Sequence, residues 1–110
     1  MAKANISGHV EFAEHVRCGV GVVVAAGTHG TIVIGRGVNL RAGVCLHAYN
    51  GEIRLGNRVS IGEHCVVYGH GGVYLEDACA IGPLTFIGSQ EHILSGKVAL
   101  RFSGEPKNRS

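Results

Sequence analysis

Apolar side chains recur along this chain at intervals of six residues, a period that fits neither an α-helix nor a hairpin strand. The recurring positions are Ile6, Phe12, Cys18, Val24, Ile34, Leu40, Leu46, Leu55, Ile61, Val67, Leu75, Ile81 and Ile87. Two residues before each later member stands a second small or branched side chain, as Val22 stands before Val24. Because side chains two apart share one face of a strand, each pair predicts one short strand with an inward face. A unit of one strand and one corner cannot bury that face alone, so the repeat predicts a stacked parallel β-helix.

Some intervals exceed six, and they predict where loops leave the β-helix. Three units make one triangular turn, which predicts a column of stacked residues formed by Ile6, Val24, Leu46, Val67 and Ile87. The extra residues follow members of this column, so segments 27–30, 49–51 and 69–72 are predicted to share one corner. His92 follows Ile87 by five positions and is predicted to reach that corner one turn beyond His70. Loops on a rigid scaffold commonly carry function.

Glycine often follows the recurring apolar residue, which predicts a corner with unusual backbone angles. These glycines are Gly19, Gly35, Gly56, Gly62, Gly82 and Gly88. Cys18, Cys65 and Cys79 fall on inward positions, and we expect them to be small buried hydrophobic residues.

Length and spacing predict an all-β fold of about five turns, with a hexapeptide-repeat domain over residues 1–93. The repeat ends after Ile93, and residues 94–110 are predicted to form a capping strand, Val98 to Phe102, and a frayed tail. Such a cap would cover the open end of the β-helix around Ile81, Ile87 and Ile93.

Composition narrows the function classes. The net charge is +2 without a clustered basic run, which argues against a nucleic-acid partner. The longest apolar run, Val20 to Ala26, is too short to span a bilayer, and the N-terminus lacks a signal-peptide pattern. We therefore expect a cytoplasmic protein with no membrane partner, whose four cysteines are reduced thiols.

Residues 50–92 resemble the hexapeptide-repeat acyltransferases, and most closely the bacterial sugar O-acetyltransferases of surface polysaccharide synthesis. The segments that carry the resemblance are Asn50-Gly51-Glu52-Ile53, 62–68, Gly69-His70-Gly71-Gly72 and the turn ending in His92. The resemblance implies a left-handed parallel β-helix, usually assembled as a trimer.

The resemblance also implies a reaction. In that family a histidine at the position of His92 takes the proton from an acceptor hydroxyl, which then attacks the thioester of acetyl-CoA. A neutral imidazole is suited to this role, because histidine titrates at about pH 6.5. We therefore expect His92 as the catalytic base, acetyl-CoA as acyl donor and a sugar hydroxyl as acceptor. The other candidate contacts to substrate or acyl donor are Asn50, Tyr68, His70, Gly71, Gly72 and Glu91.

The chain departs from the family pattern at three places. Glu91 stands where an asparagine is usual, and Leu75-Glu76-Asp77 replaces Ile-Gly-Asp. The family continues for further turns that form the coenzyme groove near a tryptophan, which this sequence lacks.

Two other functions remain open. A non-catalytic β-helical assembly module would need no coenzyme groove. A carbonic anhydrase-like enzyme would hold zinc with three imidazoles, and His29, His70 and His92 are the histidines predicted at one corner. Their spacing fits that family poorly, so no metal is expected. A homo-oligomer, most simply a trimer, is expected to bring the insertion corner, with His70 and His92, against a neighbouring subunit, and a stable monomer would favour the non-catalytic module.

Overall fold

The computed structural model describes residues 4–88 and, for the backbone alone, the strands at 92–94 and 97–98. It is an all-β parallel β-helix, which confirms the predicted fold class. Its strands form three five-stranded parallel sheets, the three faces of a prism. The prism makes about four complete turns between its first strand and Ile87, slightly fewer than the about five predicted.

Each sheet collects every third strand of the chain. Sheet 1 contains β1 (Asn5–Ser7), β4 (Val23–Ala25), β7 (Cys45–His47), β10 (Val66–Tyr68) and β13 (Phe86–Ile87). Sheet 2 contains β2 (His9–Phe12), β5 (Thr31–Ile34), β8 (Glu52–Leu55), β11 (Val73–Leu75) and β14 (His92–Leu94). Sheet 3 contains β3 (Arg17–Cys18), β6 (Asn39–Leu40), β9 (Ser60–Ile61), β12 (Ala80–Ile81) and β15 (Lys97–Val98).

The backbone register confirms the column predicted for sheet 1. Ile6 pairs with Val24, Val24 with Leu46, Leu46 with Val67, and Val67 with Ile87. The inward residues of the three sheets form one continuous apolar core, in which Leu46, Ile61 and Val67 are each fully buried. Burial of one such side chain contributes about 1.5–3 kcal/mol, and that gain holds the turns together.

The cysteines at inward positions belong to this apolar core. Cys18, Cys65 and Cys79 are buried as predicted, and all four cysteines are free thiols. Burial raises the pKa of each of these three thiols, so they remain protonated and unreactive.

The prediction about the corner glycines was wrong. None of the six glycines that follow an inward residue has a positive φ. At the corners that flank sheet 3, the left-handed conformation falls instead two residues later, at His15, Gly21, Gly37, Gly43, Arg58, His64, Ala78 and Leu84. Glycine is required at several of these positions because successive turns approach each other closely. A Cβ on Gly35, for example, would lie 2.5 Å from the carbonyl oxygen of Gly56.

The register near the end of the repeat also differs from the six-residue spacing. Leu75 pairs with Leu94, and Ile93 pairs with the outward residue Tyr74. One residue is therefore inserted after Ile87, as longer segments are inserted in the preceding turns. Lys97 and Val98 pair with Ala80 and Ile81, so sheet 3 continues past Ile93. The remainder of the predicted cap, including Phe102, lies outside the described residues.

Candidate functional site

All three predicted insertions leave the prism at the corner between sheets 1 and 2, hereafter the insertion corner. We compare, within each turn, the inward residue of the sheet 1 strand with the last inward residue of the following sheet 2 strand. The interval between them is ten positions from Val24 to Ile34, nine from Leu46 to Leu55 and eight from Val67 to Leu75. The loops therefore stack, because each begins and ends at strands that are paired with their counterparts in the next turn.

Two of these loops are tight turns with the same hydrogen bond. The Gly51 N–H donates to the Ala48 carbonyl at 2.8 Å, and the Gly72 N–H donates to the Gly69 carbonyl at 3.0 Å. Tyr49 and His70 occupy the second position of their turns, so one lies above the other. Gly51 has no room for a side chain, since a Cβ there would overlap the carbonyl oxygen of Gly69.

Stacking of the turns brings a column of rings together at the insertion corner. The rings of Tyr49 and His70 are parallel, with an interplanar angle of 8° and a centroid distance of 4.2 Å. His47 stacks on the other side of the column at 5.3 Å from Tyr49. Tyr68 meets Tyr49 edge to face at 5.2 Å and meets Phe86 in the same way at 5.2 Å. Such ring pairs contribute about 0.5–1.5 kcal/mol each beyond area burial, so their contacts stabilise the loops at this corner.

We call these five rings the aromatic column: His47, Tyr49, Tyr68, His70 and Phe86. Sequence reasoning selected Tyr68 and His70 but missed the other three. The signal was present, because His47 and Tyr68 each follow a stacked inward residue directly, and Tyr49 and His70 each follow one by three positions.

The aromatic column has polar ring edges but contains no Asp, Glu, Lys or Arg. The nearest charged pair on sheet 2 is Glu52 with Arg54, whose atoms Oε2 and Nη2 lie 2.9 Å apart. The hydroxyl of Tyr74 donates to the other Glu52 oxygen at 3.3 Å, beside Gly72. The corner therefore offers ring faces, phenol hydroxyls and imidazole nitrogens to a bound molecule.

The remaining predicted contacts lie close to the column. Asn50 is exposed in the same turn as Tyr49, and Gly71 and Gly72 complete the turn that carries His70. Gly72 has a φ of 98°, which a side chain would strain. Glu91 lies outside the described residues.

His92 is the first residue of β14, and its backbone pairs with Val73. Val73 is a fully buried inward residue, so the register places His92 at an inward position of the strand and not in a turn equivalent to the one that carries His70. Its side chain is outside the described part of the structure, so its approach to His70 stays a prediction.

Among the described residues, no group of three or more His, Cys, Asp or Glu side chains is arranged to hold a metal ion. Nor do the described residues include a helix long and apolar enough to cross a membrane.

The class of protein that these observations define is the parallel β-helix. No protein-family model matches the chain, and no curated protein matches its sequence.

The phenol of Tyr49 gives a direct readout of the column. Loss of contact with water raises the pKa of Tyr49 above its ordinary value of 10.0, and a hydrogen bond with Tyr68 raises it further. We predict that an alkaline absorbance titration shows a late transition for Tyr49 and that Tyr68→Phe moves this transition part of the way back, since the larger cause, loss of contact with water, remains. Tyr74→Phe, which lies outside the column, should leave it unchanged. A transition of Tyr49 that does not move at all in Tyr68→Phe would contradict the predicted contact.

The sign of the effect on stability follows from the same shift. The folded protein keeps a proton on Tyr49 at a pH where the unfolded chain has lost it. The contribution of this phenol to the free energy of unfolding is therefore present below about pH 10 and is lost as the pH rises above that value.

Proposed function

We propose that this protein is an acyltransferase that moves the acetyl group of acetyl-CoA to a hydroxyl of a sugar or similar acceptor. The observation that carries the proposal is the insertion corner, where three stacked loops of a parallel β-helix lead into strands of sheet 2, the sheet whose last strand begins with His92. Val73 and His92 are adjacent in the sheet, so their backbones are separated by about 4.8 Å.

In the proposed reaction His92 acts as a general base. Its neutral imidazole accepts the proton of the acceptor hydroxyl while that oxygen attacks the thioester carbonyl. The C–S bond then breaks, and the coenzyme A thiolate takes the proton from the imidazolium. The products are an acetyl ester and free coenzyme A, and His92 returns to its neutral form.

The aromatic column supports a neutral acceptor. Ring faces with phenol and imidazole edges suit an amphipathic molecule that has both C–H faces and hydroxyl groups. Asn50, Tyr68 and His70 are the residues proposed to contact the acceptor or the acyl donor, together with Gly71, Gly72 and Glu91. The turn glycines would allow a ligand to approach the backbone closely.

The test is a pair of measurements on the full chain. Calorimetry should show saturable binding of acetyl-CoA, and incubation with a panel of free and nucleotide-linked sugars should release coenzyme A thiol in proportion to acetyl ester formed. Absence of acetyl-CoA binding would contradict the proposal and would favour the non-catalytic assembly module. Stoichiometric zinc in the purified protein would favour the carbonic anhydrase-like alternative.

We further propose that the protein works as a homotrimer in which sheet 1 faces a neighbouring subunit. The outward positions of sheet 1 carry no Asp, Glu, Lys or Arg; they are Asn5, Ser7, Val23, Ala25, Cys45, His47, Val66, Tyr68 and Phe86. Sheet 2 differs, because Glu11, Glu52 and Arg54 point outward from it. Charged residues are depleted at the cores of protein–protein interfaces, so the composition of sheet 1 favours it as the interface. Because sheet 1 borders the insertion corner, this interface would also bring that corner near the neighbouring subunit.

A glutamate in the middle of sheet 1 should dissociate the trimer. We predict that Val66→Glu elutes as a monomer in size exclusion coupled to light scattering, because the interface would have to bury an unpaired charge. Val33→Glu is the matched control: Val33 is likewise an outward, half-buried strand valine, but on sheet 2. It should remain a trimer. A monomeric parent protein, or equal dissociation by both variants, would contradict the assignment of sheet 1.

A further inference from the structure

A groove of about 450 Å³ opens at the corner between sheets 2 and 3, on the other side of sheet 2 from the insertion corner. Its lining consists of His15, Val16, Arg17, Gly37 and Asn39. The volume lies within the range of small-molecule sites. Nothing in the proposed acyl transfer uses this groove.

The fold brings the lining residues together in two neighbouring turns. β3 pairs with β6, and this register sets Arg17 beside Asn39 on the outer face of sheet 3. His15 and Gly37 occupy equivalent left-handed corner positions, with φ of 64° and 70°. Gly37 contributes only backbone to the lining of the groove.

The polar groups of the lining are hydrogen-bond donors of the kind that oxyanions require. Arg17 offers a guanidinium fork, Asn39 an amide and His15 a ring N–H. Among the described residues Arg17 has no ion pair, whereas Arg41 pairs with Glu63 at 3.0 Å and Arg54 pairs with Glu52 at 2.9 Å. The arginine in the groove is thus available to a ligand.

Other charges at this corner add to the positive field. Arg36 precedes Gly37, and the Arg58 Cγ would lie 3.4 Å from a Cβ on Gly37. Neither arginine has an ion pair within the described range. Carboxylates oppose these arginines. Glu14 lies at the same corner, and Glu11 lies on the neighbouring strand β2, where it contacts His9. Asp77 accepts a hydrogen bond from the Asn57 N–H, beside Arg58. The lining itself holds one formal charge, the Arg17 guanidinium, and no carboxylate.

We propose that this groove binds the phosphate or carboxylate group of a small anionic molecule. The Arg17 guanidinium contacts two oxygens of the anion, because its planar fork matches the geometry of either group. Asn39 and His15 donate to the remaining oxygens from the neighbouring strand and from the corner. The arginines at positions 36 and 58 strengthen the attraction at longer range, and this part is screened by salt.

The test is a titration of the isotopically labelled full chain with sodium phosphate, and separately with sodium acetate, followed by backbone amide shifts. Sodium chloride holds the ionic strength constant, so that screening does not change. We expect saturating shifts at His15, Arg17 and Gly37 with at least one of the two anions. The anion that binds more tightly identifies the ligand group.

Arg17→Gln should weaken this binding about tenfold or more, the loss expected for a charge-assisted hydrogen bond. Arg41→Gln, which removes an equal charge at another corner, should change it less than about twofold. The amide spectra also report whether each variant is folded. Absence of saturable shifts with both anions would overturn the proposal, as would equal weakening by the two variants. Acetyl transfer plays no part in the readout, so this outcome is independent of the proposed enzymatic function.

Discussion

His92→Asn is expected to lower the rate of acetyl transfer by about 10²–10⁴-fold, the range that a positioned general base contributes. Asparagine keeps a polar side chain of similar reach but cannot accept the hydroxyl proton at neutral pH. The loss should appear in kcat, while calorimetric binding of acetyl-CoA stays within about twofold, because the proposed base acts on the acceptor.

The matched control for this variant is His64→Asn. His64 is an exposed histidine at the corner between sheets 3 and 1, with a φ of 59° that asparagine tolerates well. Its removal should leave turnover unchanged. A second signature is the pH profile: the parent enzyme should lose activity as the pH falls and the base is protonated, and the residual activity of His92→Asn should lack that limb. Unchanged turnover in His92→Asn would remove this residue from the mechanism.

Leu46→Ala is expected to lower the free energy of unfolding by about 2–5 kcal/mol. Leu46 has no exposed surface and lies in the middle of the sheet 1 column, paired with Val24 on one side and Val67 on the other. Truncation removes apolar contacts and leaves a cavity, and the neighbouring turns cannot close it because their strands are held in register by hydrogen bonds.

Leu84→Ala is the same substitution at an exposed site and serves as the control. Leu84 is 65% exposed at a corner, so the change should stay within about 0.5 kcal/mol. Urea unfolding followed by circular dichroism measures both variants under the same conditions. Because a stacked repeat is stabilised by contacts between neighbouring turns, Leu46→Ala should also broaden the transition. Comparable losses in the two variants would contradict the assignment of Leu46 to the core.

The register of the inward residues was predictable because it depends only on spacing. Leu46 and Val67 stand at fixed intervals, and an inward residue moved by one position would turn its strand's apolar side chains outward. The same spacing placed the three insertions at one corner, which the pairing of sheets 1 and 2 confirms. Function remained a matter of resemblance, since a fold of this kind does not by itself specify a reaction.

The candidate site was only partly predictable. Tyr68 and His70 were selected because they lie in or beside a glycine-containing loop that resembles the family. Tyr49 and His47 were missed, because their significance depends on ring contacts between turns rather than on local sequence. The groove at His15 and Arg17 was missed for the same reason: its residues join only when β3 pairs with β6.

The sequence by itself determined the β-helix repeat, the inward residues and the corner that carries the insertions. Each of these follows from the six-residue period of apolar positions and from the places where that period is interrupted. The tertiary structure alone decided where the corners take a left-handed backbone and why Gly35 is a glycine. It also showed that Leu94, not Ile93, pairs with the inward residue Leu75. These features depend on the approach of one turn to the next, a distance that side-chain periodicity does not encode.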